Sequence, residues 1–135
     1  VAAGAVLAVT VLAHDGKTIA LDTAAGSVCT LPAATGSGAR FRFVVTVTPT
    51  SNAHIVKVTG DDTMKGLALG LDGDSVAANA WGTAADSDTI TMDSDAQGGE
   101  IGDVIECEDI KADVYAVQVR LTQGGTEATP FSAAV

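Results

Sequence analysis

Arg40-Phe41-Arg42-Phe43-Val44-Val45-Thr46-Val47 decides the fold class, because its apolar and polar residues alternate. Phe41, Phe43, Val45 and Val47 point one way, and Arg40, Arg42 and Thr46 the other. Strand side chains alternate between faces, so the run reads as a strand with one buried face. Residues 115–121 repeat the pattern, with Tyr115, Val117, Val119 and Leu121 opposite Ala116, Gln118 and Arg120. Shorter strands are predicted at residues 17–21, 27–31, 54–59, 88–92 and 102–106. Val, Ile and Thr supply 38 of 135 residues, and β-branched side chains sit more easily on a pleated sheet than in a helix.

Turn signals separate these runs at intervals of about ten residues, the spacing of an all-β sandwich or barrel. They include Asp15-Gly16, Gly26-Ser27, Gly36-Ser37-Gly38, Gly60-Asp61, Asp72-Gly73-Asp74, Gly98-Gly99 and Gly124-Gly125. Glycine reaches positive φ without a Cβ clash, so each is a candidate hairpin corner. Pro32, Pro49 and Pro130 fall beside turns, where a missing N–H harms no ladder. Residues 67–85, rich in Ala and Gly, show no clear period and read as a long loop with at most one short strand or helical turn. The expected architecture is all-β: a compact antiparallel β-sandwich or partly open barrel, with a single domain over residues 14–135. Residues 1–13 form an extended apolar N-terminal arm or the first strand, since Leu7, Val9 and Val11 alternate with Ala8, Thr10 and Leu12. An amphipathic helix is the weaker reading of that segment. It lacks the basic residues that open a secretory signal.

The length suits one domain of about 100–150 residues. Seventeen carboxylates against seven Lys and Arg give a net charge of −10. Every phosphate contact would be made against that field, so no nucleic acid and no anionic membrane is expected as a partner. No apolar run is long enough for a transmembrane helix. The charge is polarised: residues 1–60 carry four basic and two acidic side chains, whereas residues 61–113 carry fourteen acidic and two basic. This pattern describes either solvated acidic loops or an acidic, water-facing side opposite a nearly neutral docking side.

Chemistry finds little support. Phosphate loops, dinucleotide fingerprints, zinc-protease motifs and nucleophile elbows are all missing. A Cys29/His54 nucleophilic pair has no third group to orient the base; buried hydrophobic thiols are the simpler reading. Asp93-Ser94-Asp95-Ala96-Gln97-Gly98 matches the first half of a calcium loop, but Val104 stands where the bidentate Glu belongs. Trp81 is a core or interface residue more readily than a sugar platform. No catalytic residue, metal or cofactor is expected.

One stretch is familiar. Gly16-Lys17-Thr18-Ile19-Ala20-Leu21-Asp22 is followed by Thr30-Leu31-Pro32-Ala33-Ala34-Thr35-Gly36-Ser37-Gly38-Ala39-Arg40-Phe41-Arg42-Phe43-Val44-Val45. This resembles a pattern, G-K-T-I-x-L-D…T-L-P-A-A-T-G-x-G-x-x-[FY]-R-F-V-V, of small structural proteins of tailed bacteriophages. Further similarity lies in Thr50-Ser51-Asn52, His54-Ile55-Val56-Lys57-Val58, residues 85–91 and the ending Gly125-Thr126-Glu127-Ala128-Thr129-Pro130-Phe131-Ser132. The resemblance spans most of residues 14–132 and implies a capsid decoration, or cement, protein. Such a protein is non-enzymatic and all-β, and binds the major capsid protein on the outer surface of the virion after assembly in the bacterial cytoplasm. The same L-P-A-A-T-G-x-G module occurs in tail-fibre-like proteins, so a fibre or receptor-binding module is the alternative. A polysaccharide hydrolase is the more distant one.

An acidic subunit fits the outer wall, away from packaged DNA. Closed symmetry then favours a homotrimer, with a dimer second. Candidate contacts with the shell or with other subunits are Leu7, Val9 and Val11 in the arm, Leu31 and Pro32 in the 31–38 loop, and Arg40 and Arg42, which could pair with shell carboxylates. Deleting the first twelve residues is expected to weaken shell binding more than folding.

Overall fold

The computed structural model describes residues 1–135. Eleven strands and one helical turn follow one another: β1 Val6–Ala8, α1 Val11–His14, β2 Thr18–Leu21, β3 Val28–Thr30, β4 Arg40–Val45, β5 His54–Lys57, β6 Thr63–Asp72, β7 Ala78–Gly82, β8 Thr89–Met92, β9 Val104–Lys111, β10 Val114–Gln123 and β11 Phe131–Ser132. They form a six-stranded sheet, β2-β4-β9-β10-β6-β7, and a five-stranded sheet, β1-β3-β5-β8-β11. Neither closes into a barrel. The fold is all-β.

Both sheets are mixed, which corrects the antiparallel expectation. The pairs β1/β3, β3/β5, β2/β4 and β6/β10 run parallel. The cause is the path of the chain. From β1 to β6 it changes sheet at every corner, so the neighbours of β3 are β1 and β5, two steps away in sequence. Turns at Asp15-Gly16 and Gly26-Ser27 are therefore crossings between sheets. Only β6/β7 and β9/β10 are consecutive strands paired antiparallel in one sheet. The predicted runs do become strands, but β4 stops at Val45, where the amides of Thr46 and Val47 both donate to the Leu21 carbonyl.

One cluster of 24 buried residues draws on both sheets. The larger sheet contributes Ile19, Leu21, Phe41, Phe43, Ile105, Tyr115, Val117 and Val119; the smaller contributes Cys29, Val56, Ile90, Met92 and Phe131. Phe41 and Tyr115 meet with ring centroids 6.5 Å apart, tilted by 52°, within the range favoured by aromatic quadrupoles.

The 67–85 stretch departs most from its sequence reading. It holds most of β6 and all of β7. Its alternation is inverted: Gly66, Ala68 and Gly70 take the positions that face β10 residues of the core side, while Leu67, Leu69 and Leu71 are exposed.

Residues 1–13 lie along both sheets, with β1 as the first strand and α1 opening at Val11. The Ala3 amide donates to Ala20 and the Ala20 amide to Val1, which covers the outer edge of β2. β1 then pairs with β3 at the edge of the other sheet, and the Val9 amide donates to Thr30. Thr10 caps the following turn: its hydroxyl accepts the Ala13 amide at 3.3 Å.

Candidate interaction surface

The 31–38 loop leaves β3 and turns onto β4, and three buried side chains fasten it. Asp109 lies on the inward-facing series Ile105, Cys107, Asp109 of β9 and is buried. Its carboxylate accepts the amides of Thr35 at 3.1 Å, Gly36 at 2.7 Å and Ser37 at 3.0 Å, and the Ser37 hydroxyl at 2.6 Å. Successive backbone N–H groups turned onto one anion form a nest. Burial pushes this carboxyl up, but the Ser37 hydroxyl and the amides of Ser37, Thr35 and Gly36 outweigh it and hold it at about 2. Gly36 has φ +80°, and a Cβ there would lie 3.1 Å from the Lys111 Cα, so the nest needs glycine at this point. Asp62 accepts the Ala34 amide at 2.8 Å, and the Tyr115 hydroxyl donates to the Pro32 carbonyl at 2.8 Å.

Beyond the loop, the outward face of β4 meets β9 and β10. Arg40 lies 3.3 Å from Glu108, Arg42 3.7 Å from Glu106, and Arg120 3.6 Å from the same Glu106. Gly16, Lys17, Thr18 and Gln118 join Arg40, Arg42, Glu106 and Glu108 around an open depression of about 450 Å³. Arg40 and Arg42 are thus accessible but already matched by this chain's own glutamates. Exposed pairs of this kind contribute about 0–1 kcal/mol each, so an acidic partner could compete for the guanidinium groups at modest cost.

Other expected contact residues are placed differently. Val9 and Leu31, the residues just past the ends of β1 and β3, are buried in the core cluster and offer no docking surface. Leu7 is half-buried against the same core, Pro32 is half-buried, and Val11 is exposed. Sequence reading overlooked Val6 and Leu12 near this end, and Leu67, Leu69, Leu71 and Val76 at the β6/β7 end, all exposed. The Leu67-x-Leu69-x-Leu71 alternation was the available signal, but small residues opposite it mask which face is inside.

The reactive groups are occupied or suppressed. The Ser27 amide donates to His54 Nδ1 at 3.0 Å, and Nε2 lies 2.8 Å from the Val47 carbonyl, so backbone engages both ring nitrogens. Burial, with Asp22 adding to it, pushes the Cys29 thiol up to about 12; burial also raises Cys107. Both cysteines are free. Thiolate chemistry has no support here. Asp93 accepts the amides of Asp95 and Gln97 within its own turn. Trp81 donates its indole N–H to Gln123 Oε1 at 3.0 Å, while Gln123 Nε2 donates to Ala96 and Ala128 carbonyls. Trp81 is a packing residue of β7, half-buried against the core. Compared with known proteins, the chain matches no family model, no curated protein and no solved structure.

Proposed function

We propose that this chain is a non-enzymatic structural protein of a tailed-bacteriophage virion, a decoration protein that binds the major capsid protein from outside and strengthens joints between capsomers. The two sheets then act as a β-sandwich scaffold for an adhesive surface. The observation that carries the reading is the use made of the Leu31-Pro32-Ala33-Ala34-Thr35-Gly36-Ser37-Gly38 stretch. It is a surface loop exposed from Thr35 to Gly38, yet tied down by Asp109, Asp62 and Tyr115. A pre-organised loop loses little entropy on docking, so a larger share of its contact energy appears as affinity. The paired arginines beside it add charge that a shell carboxylate could share. Many weakly bound copies bridging adjacent capsomers would reinforce one another by multivalency.

The test is binding to phage shells assembled without decoration. Purified chain is mixed with such shells, and bound copies are counted by gel densitometry and located by electron microscopy. Occupancy in the hundreds per particle, on the outer capsid face, is expected. A few copies confined to the tail would favour the fibre module and reject the capsid assignment.

A further inference from the structure

We propose that β7 is the seam of a two-fold homodimer, in which the β7 strands of two copies pair antiparallel and join their six-stranded sheets. The inference goes beyond the capsid reading and stands without it.

Three sheet edges are closed or short: β2 is covered by Val1–Ala3 backbone, β1 has three residues and β11 two. β7 is a five-residue edge with no strand beyond it. The Thr83 amide donates to Gly66 and the Asp72 amide to Ala77. Antiparallel alternation then turns the backbone groups of Asn79 and Trp81 toward β6 and those of Ala78, Ala80 and Gly82 away from it. Unpaired edges invite pairing with another chain, and proteins blunt them with Lys, Pro or bulges. β7 carries none of these: its sequence is Ala-Asn-Ala-Trp-Gly, and its register with β6 is unbroken.

A second copy fits this edge by symmetry and charge. With the axis at Ala80, Ala80 faces its own equivalent and Ala78 faces the partner's Gly82. Both are hydrogen-bonded pairs, so every outward N–H and C=O finds a mate. Residues 66–71 and 75–85 carry no charge, which keeps a molecule of net charge −10 from opposing itself at the contact. Asp72 and Asp74 stand at the hairpin end of the strand. Lys65 stands at the other end, its Nζ donating to the Ala84 and Ala85 carbonyls, with Asp86 following in the chain. Antiparallel pairing sets each acidic hairpin against the partner's lysine end; parallel pairing would crowd the two acidic hairpins together. On the outward face Ala78, Ala80 and Gly82 are small, so no bulky side chain obstructs the approach of the second strand. A five-residue edge buries less than the roughly 1,200 Å² at which standard interfaces begin, so a weak, concentration-dependent dimer is expected.

Sedimentation velocity over a concentration series, together with acrylamide quenching of the single tryptophan, tests the seam. The full chain is expected to pass from monomer to dimer as concentration rises, with Trp81 quenched less in the dimer. Ala80→Pro deletes only an outward N–H, which an edge strand tolerates, and Ala80→Lys places a charge on the axis with the backbone intact. Both variants are expected to keep the wild-type circular dichroism and remain monomers. A wild-type monomer throughout, a trimer, or a dimer that both variants preserve would overturn the seam. Shell binding is measured separately on particles. A monomer that still coats shells therefore removes the seam alone, and a dimer that never coats them removes the capsid reading alone.

Discussion

Asp109 shows how one side chain can set a surface loop. Three amides and two hydroxyls point at its carboxylate. In Asp109→Asn, one oxygen becomes an NH₂ that cannot accept, and at least one loop donor is left unpaired. Stability should fall by about 1–3 kcal/mol, read as a lower urea midpoint, and the amides of Gly36 and Ser37 should exchange faster. The pH dependence has a definite sign. A carboxyl held below its ordinary value contributes stability above that ordinary value and loses it as pH falls toward about 2. Asp103 behaves oppositely: burial raises it, and the amides of Thr122, Gly99 and Glu100 offset this only in part. Its ionisation opposes folding, so acidification relieves it first. Nothing in the acidic run around residue 109 singles out this carboxylate by type. Only the period-2 series Ile105, Cys107, Asp109 places it inside, where a charge must find donors.

At the scale of elements, β6 explains the largest departure from the sequence reading. Gly66 and Gly70 look like loop residues, yet both are sites of close approach. A Cβ at Gly66 would run into the Val117 carbonyl oxygen, and one at Gly70 into the Gln123 side chain. Gly66→Ala is therefore expected to cost about 1–3 kcal/mol or more by forcing β6 away from β10; thermal unfolding measures it. Glycine in a strand commonly marks such an approach, but the sequence does not reveal what approaches. The Leu31–Gly38 loop was legible as a turn from its glycines. Its rigidity was not, because Asp109, Asp62 and Tyr115 lie far away in the chain.

For the whole molecule, the opening segment matters most. Ala3 and Val9 are buried, and residues 1–9 pair with both sheets. Deleting residues 1–9 exposes the edges of β2 and β3 and empties the Val9 site. A loss of at least about 2 kcal/mol is expected from the side-chain burial alone, measured as a shift in the denaturation midpoint. Shell occupancy of the same deletion, compared with its loss of stability, tests the expectation that the segment serves docking more than folding. The acidic middle segment is likewise divided by the fold. Asp62, Asp103 and Asp109 turn inward to hold loops, while Glu106 and Glu108 answer Arg40, Arg42 and Arg120 across the open face.

By itself the sequence determined that the chain makes strands, and for β4 and β10 which face is buried. Side-chain alternation is a local consequence of the pleat and can be read wherever large apolar residues mark it. It also determined the absence of motifs for phosphate, zinc or nucleophilic chemistry. Tertiary structure alone decided which strands are neighbours, that β6 and β7 exist, and which carboxylates are buried. Hydrogen bonds between strands join backbone groups that are chemically alike in every residue, so pairing leaves little trace in side-chain identity. Partner choice is settled only when both sheets close over one core.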